Sequence, residues 1–253
     1  MTSGDQDAYV VVTGGSRGIG AATARVAAQA GYNLALTYKS NRAAADDVIK
    51  AVESEGRRAV AQSFDMATGN VEELFRAFDS AGLGRLHGLV NNAGITGPIK
   101  RLTEIDQAML DDVFRINITS LMLCMKEAAL RMSTEQEGIG GTIVNVSSRA
   151  GQLGGAGEWI HYAASKGAVD TLTEGAAKEL GSEGIRVNAV SPGLIETEIH
   201  AAAGAPDRVE RMVSGVPLGR SGTAEEVAEV IVWLLSGKSS YVSGANISIS
   251  GGR

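Results

Sequence analysis

The chain is short of the residues that staple small secreted domains or hold metals: 253 residues contain one cysteine, four prolines and three histidines, and aromatics make up only 4%. A lone cysteine, Cys124, excludes an internal disulfide, and its apolar helical surroundings fit a reduced, intracellular setting. His87, His161 and His200 stand apart, with no metal-ligand spacing to one another or to Cys124, so no metal is expected. His161 reads as a surface histidine. There is no Lys/Arg run or basic stripe, and the net charge is −6, which argues against nucleic acid as a partner. Membrane-spanning runs are missing as well, since the best apolar stretch, Val227–Leu235, is interrupted by Glu229. Met1–Asp7 is polar and acidic, with neither a basic n-region nor an apolar h-region, and reads as a flexible tail on a cytoplasmic protein.

With so few aromatics the core must rest on Ala, Val, Ile and Leu. Those residues fall into short β-branched runs, Tyr9–Thr13, Asn33–Tyr38, Ala59–Phe64, Gly88–Asn91, Thr142–Ser147, Arg186–Val190 and Asn246–Ile249. Stretches of helical period separate them: Ala21–Ala30, Ala43–Glu55, Val71–Ser80, Asp106–Met132, Ala163–Leu180 and Glu225–Leu235. Strand–helix alternation of this kind predicts an α/β fold, a doubly wound parallel sheet of about seven strands with helices on both faces. No linker or repeat divides it, so one domain is expected. Two segments break the alternation, Gly151–Gly157 and Gly193–Gly219. Open α/β sheets bind ligands in loops beyond the carboxyl ends of their strands. These segments are therefore expected to shape the substrate pocket, with Gln152, Leu153, Trp159 and the Leu194–Met212 segment touching the substrate.

Glycine is abundant, at 33 residues, and its first cluster is placed where close backbone approach is useful. The first strand runs into Thr13-Gly14-Gly15-Ser16-Arg17-Gly18-Ile19-Gly20, ahead of an Ala-rich helix. Such glycines permit a tight turn against a pyrophosphate, and the helix N-terminus behind them offers free N–H groups and partial positive charge.

The spacing Thr-Gly-x-x-x-Gly-x-Gly resembles the short-chain dehydrogenase/reductase family. Further pieces stand in the family's order: Asn91-Asn92-Ala93-Gly94, then Asn117, Ser148, Tyr162-Ala163-Ala164-Ser165-Lys166 and Pro192-Gly193. The resemblance runs from Tyr9 to Gly252, and the Tyr162–Gly193 stretch is similar to glucose-dehydrogenase-like and 3-oxoacyl-carrier-protein-reductase-like members. It implies a single-domain Rossmann fold and hydride transfer between a nicotinamide cofactor and a carbonyl or alcohol carbon of a small substrate. A homo-oligomer, tetramer or dimer, is implied too. Residue by residue, it implies that Asp65 holds the adenine amino group beside Met66, and that Asn91, Ala93 and Gly94 line the adenosine side. Pro192, Gly193, Ile195 and Thr197 complete the implied cofactor contacts, and Asn117 would hold a water linking Lys166 to solvent.

An NAD-preferring site usually carries an acidic residue at the end of the second strand, about 20 residues past the glycine loop. Here that strand ends Leu36-Thr37-Tyr38-Lys39-Ser40-Asn41-Arg42, and no carboxylate follows until Asp46. Guanidinium and ammonium groups pair with a 2′-phosphate that a carboxylate would repel. NADP(H) is therefore expected, with Arg17 and one of Lys39 or Arg42 on the 2′-phosphate.

Carbonyl reduction needs a proton donor at oxygen while hydride reaches carbon. Tyr162 and Lys166 are four positions apart and share a helix face. An ammonium about 4 Å from the phenol, at an effective dielectric near 20, would favour phenolate by about 4 kcal/mol and lower the phenol's pKa. Tyr162 is the expected general acid and base, with Lys166 tuning it and bonding the nicotinamide ribose. Ser148, or Ser147 beside it, is placed to hydrogen-bond the substrate oxygen as charge develops. Other readings on the same scaffold are a catalytically silent cofactor-binding sensor, an NAD(H)-preferring dehydrogenase, or an enzyme of dehydration or epimerisation.

Overall fold

The computed structural model describes residues 8–198, 201 and 203–253; the expected tail Met1–Asp7 and His200 lie outside the described residues. Seven strands form: β1 (Ala8–Val12), β2 (Asn33–Tyr38), β3 (Ala59–Ser63), β4 (Arg85–Asn91), β5 (Gly141–Val146), β6 (Ile185–Pro192) and β7 (Asn246–Ile249). They pair in the order β3-β2-β1-β4-β5-β6-β7, every pair parallel. Each expected strand is present, and β4 and β6 run longer than their apolar runs.

Parallel strands require crossover helices, and those helices cover both faces of the sheet. All five residues of β1 and all six of β2 are buried, as strands enclosed from both sides must be. Alternate residues of β1 serve opposite cores: Tyr9 and Val11 pack with Phe75, Phe78, Cys124 and Val169, and Val10 and Val12 with Ala24, Val48 and Ile231. The first set comes from helices Val71–Asp79, Ser120–Met132 and Ile160–Leu180, the second from Gly18–Gln29, Arg42–Ser54 and Ala224–Leu235. Cys124 is fully buried, and burial pushes its thiol up to about 12. Among the described residues no helix is long and apolar enough to cross a membrane.

The expected continuous helix over Asp106–Met132 is broken. A helix over Gln107–Phe114 opens into a π-turn, Arg115–Thr119, before Ser120–Met132 resumes. Asn117 sits in that wide turn with its amide bound to the loop after β4, a demand that apolar periodicity does not record. The expected loop Gly151–Gly157 contains the end of a short helix, Ala150–Leu153.

From β1 the chain steps outward to β2 and β3, then returns across β1 to place β4 on its other side. This reversal opens a crevice beyond the carboxyl ends of β1 and β4, the place where doubly wound sheets hold ligands.

Candidate active site

The crevice is stapled at its base by side chains that follow β1 and β4. Thr13 Oγ1 accepts from the backbone N–H groups of Asn92 and Ala93, each at 3.0 Å. Asn92 Nδ2 donates to the carbonyls of Thr13 and Gly14, both at 3.0 Å. Gly14 (φ 65°) and Gly18 (φ 51°) occupy left-handed backbone that favours glycine. Gly20 is required by space instead: a Cβ there would lie 2.4 Å from Gly14 O and 2.5 Å from Asn92 Nδ2. Thr13 and Gly20 thus shape the loop from behind, while Gly14, Ser16, Arg17, Gly18 and Ile19 face the cavity. The helix that follows, Gly18–Gln29, has no side-chain cap at its N-terminus. Its first N–H groups remain available to an anion. Gly20→Ala is expected to cost about 1–3 kcal/mol through overpacking. A lowered urea midpoint with unchanged slope would show it.

A cavity of about 750 Å³ extends from this loop across the carboxyl edge of the sheet. Toward β2 and β3 it is lined by Thr37, Lys39, Phe64, Asp65 and Met66. Lys39 Nζ lies 3.0 Å from Asp65 Oδ2. The N–H of Ala67, first, and then Lys39 hold the Asp65 carboxyl below the usual carboxylate range. Arg42 does not reach the cavity: it begins the Arg42–Ser54 helix and turns its Nε onto Asp46 at 2.9 Å. Asn91 is also absent from the lining, since its Nδ2 points across the sheet to Asn145 Oδ1 at 2.9 Å; Asn92, Ala93 and Gly94 line it.

Beyond β5 and β6 the cavity meets the Ile160–Leu180 helix. Lys166 is only 4% exposed; its Nζ donates to Val146 O at 2.7 Å and lies 5.7 Å from the Tyr162 ring centroid. Burial lowers the Lys166 ammonium to about 8, against the opposing attraction of Asp170. Tyr162 and Ser148 both line the cavity, and burial raises the Tyr162 pKa while Ser148 and the Arg208 charge pull it down. The expected direction is therefore corrected. Desolvation outweighs the opposing pull of Ser148 and of the Arg208 charge.

Of the two serines, Ser148 faces Tyr162. Ser147 is buried, with its hydroxyl 2.5 Å from Asp170 Oδ1 and 3.2 Å from the Lys166 carbonyl. Asn117 lies behind the cavity wall. Its Oδ1 accepts from Ile95 N at 2.9 Å, and its Nδ2 donates to Ile95 O and Ser165 Oγ at 2.8 and 3.0 Å. That amide clamps the loop after β4 onto the helix bearing Tyr162. A Cβ on Gly94 would sit 3.2 Å from Asn117 Oδ1 and 3.6 Å from Lys166 Nζ, so Gly94 lies close to both.

His161 is not a surface residue. It is buried under the loop after β4, with Nε2 2.8 Å from Thr96 O, and burial lowers its pKa. Leu153 and Trp159 line the cavity, as do Pro192, Gly193, Ile195 and Thr197. Gln152 is exposed and does not line it, whereas its neighbour Leu153, also exposed, does. Arg208, from the helix Arg208–Met212, lays its guanidinium 4.4 Å over the Trp159 ring and pairs with Glu158 at 2.5 Å. Sequence reasoning marked this segment but not Arg208, and it passed over Asn92 inside a motif that it had quoted. Among the described residues no cluster of His, Cys, Asp or Glu could hold a metal.

A family model described as enoyl-(acyl carrier protein) reductase matches residues 14–253. The chain is 47% identical to the uncharacterized oxidoreductase YgfF of Escherichia coli strain K12, over 97% of this chain and 100% of that protein. Among solved structures, a short-chain dehydrogenase/reductase from Serratia marcescens superposes with a TM-score of 0.89 at 33% identity, covering 98% of each chain. A blue fluorescent protein from a metagenomic library, in complex with NADPH, gives a TM-score of 0.86 at 33% identity over 96% of each chain. The family model, the sequence identities and the full-length superposition lead to one conclusion: the chain belongs to the short-chain dehydrogenase/reductase family of oxidoreductases.

Proposed function

We propose that the chain is an NADP(H)-dependent reductase or dehydrogenase, acting on a carbonyl or alcohol carbon of a small substrate in the cytoplasm. The observation that carries this reading is that Tyr162, Ser148 and Lys166 line the same cavity as the glycine loop. The loop fits a dinucleotide because Gly20 leaves no room for a Cβ and the uncapped helix start leaves donors for a pyrophosphate. Arg17, Ser16 and Ile19 would hold the phosphates, Asp65 and Met66 the adenine, and Gly94, Pro192, Gly193, Ile195 and Thr197 the remainder.

When bound, the nicotinamide supplies or accepts the hydride. Tyr162 delivers a proton to the substrate oxygen in reduction and removes it in oxidation. Ser148 donates to that oxygen as negative charge grows, which helps most in a desolvated site. Lys166, held by Val146 O, stands beside the phenol to bond the ribose and to keep positive charge near the developing oxyanion. Asn117 keeps the loop carrying Ile95 in place against this helix.

The preference for NADP(H) rests on charge. No carboxylate stands at the end of β2, the Asp65 charge is matched by Lys39, and Arg17 is exposed at the cavity mouth. Arg17 and Lys39 are the 2′-phosphate partners in this reading, and Arg42 has no part. A spectrophotometric screen across aldehydes, ketones, sugars and acyl thioesters tests it. With any substrate found, kcat/KM is expected to favour NADPH over NADH by about tenfold or more, and Arg17→Ala should remove most of that preference. Preference for NADH would overturn the assignment. The exposed Met122, Leu123 and Leu130 on the Ser120–Met132 helix support a homo-oligomer, tetramer or dimer, that covers this face.

A further inference from the structure

The Tyr162 end of the cavity carries more positive charge than proton transfer needs. Arg208 has a side chain only 13% exposed and stacks on Trp159, itself 4% exposed. One edge of its guanidinium meets Glu158, but its Nε is buried without a hydrogen-bond partner among the described residues. Among the described residues the buried indole Nε1 of Trp159 has no partner either. Two stacked planes thus bring together two desolvated donors, and what both lack is an acceptor. Buried donors in folded proteins are almost always satisfied, so the missing acceptor points to something the site receives.

The charge around these donors says what kind of acceptor it is. Arg149 and Arg253 line the same cavity as Arg208, so three guanidiniums gather there, with Glu158 paired to Arg208. Arg149 Nε donates at 2.8 Å to an oxygen of the last residue, Arg253, and the Arg253 guanidinium lies with its Nη1 3.9 Å from Met212 Sδ. The positive charges of Arg253 and Arg211 act against that of Arg208. A neutral ketone would leave this strained, half-dry arrangement uncompensated. An anion would complete it.

We propose that Arg208 and Trp159, with Arg149 and Arg253 at the rim, form an anion subsite, so that the substrate is a small oxo or hydroxy acid. Its carboxylate lies on Arg208 while its carbonyl or carbinol oxygen meets Tyr162 and Ser148. A planar carboxylate matches the edge of a guanidinium fork better than a neutral oxygen does. Arg208 and Tyr162 line the same cavity of about 750 Å³, which brings both ends of a small substrate within one site. This assignment rests on the reading of Tyr162 as the proton donor, and it adds the substrate's charge to that reading.

Calorimetric titration of the whole protein saturated with NADP⁺ tests the subsite without turnover. Benzoate is expected to bind about tenfold or more tightly than benzamide, with the difference erased in Arg208→Gln and weakened in Arg149→Gln. A panel of five- to eight-carbon oxo acids should likewise exceed their own methyl esters in kcat/KM by about tenfold, expressed in KM. Equal binding of benzoate and benzamide by the wild type would overturn the proposal, whatever the variants do. Tighter binding of phenyl phosphate than of benzoate would overturn the carboxylate assignment. Because none of these titrations needs proton transfer, Tyr162→Phe should keep the benzoate preference. The subsite and the catalytic reading can therefore fail separately.

Discussion

Tyr162→Phe is expected to lower kcat by about a thousandfold while leaving the NADPH dissociation constant within about threefold of the wild type. The substitution removes one oxygen and keeps the ring, so the packing of the Ile160–Leu180 helix should survive it. What disappears is the phenolic hydroxyl in the cavity that Ser148 and Lys166 also line. The pH dependence separates this role from a structural one. Burial raises the Tyr162 phenol above its ordinary value, so it stays protonated throughout the neutral range. Reduction, which needs the protonated form, should therefore be flat through neutrality. Its first decline is expected near pH 8, where Lys166 loses its charge, and not from the phenol. Oxidation needs the phenolate and should climb as pH rises. Stopped-flow NADPH titrations and pH profiles in both directions check these expectations; substantial turnover by the phenylalanine variant would refute the acid–base role.

The parts of this molecule that were legible in its sequence are those set by local pattern. The seven apolar runs became seven strands, and the central ones, such as β1 and β2, read as continuous apolar runs because they are buried on both faces. The glycine loop was legible because left-handed backbone at Gly14 and Gly18 and the Cβ exclusion at Gly20 are recorded directly as glycine. What escaped depended on contacts between distant segments. The π-turn at Asn117 exists to serve Ile95, and His161 is buried because Thr96 passes over it. Lys39 and Arg42 looked equivalent as letters; one pairs with Asp65 on the cavity wall and the other belongs to a helix start paired with Asp46. Arg208 had no local mark at all. Its importance comes from Trp159 and Glu158, about fifty positions away, and from the two donors left open there.

Lys166→Met should stabilise the protein and remove its activity. The ammonium is buried, and its pKa in the folded chain, about 8, lies below the ordinary 10.5. At neutral pH the folded state therefore binds that proton less readily than the unfolded state, at a cost of about 3 kcal/mol. Methionine keeps the unbranched shape without the charge. Against the gain stands the lost hydrogen bond to Val146 O, about 1 kcal/mol. The net stabilisation expected is about 2 kcal/mol, a rise in melting temperature of roughly 4–8 °C for a chain of this size. The difference should depend on pH in a defined direction. Between pH 8 and 10.5 the wild type sheds the folded-state proton and regains stability, so its advantage deficit relative to the variant closes across that window. Turnover should fall by about a hundredfold or more, since neither the ribose contact nor the positive charge beside Tyr162 survives. Calorimetric melting at pH 7 and pH 10, with kcat/KM measured on the same preparations, decides the matter. A variant that melts lower at neutral pH would mean that the lysine is a structural bond and not a strained functional charge.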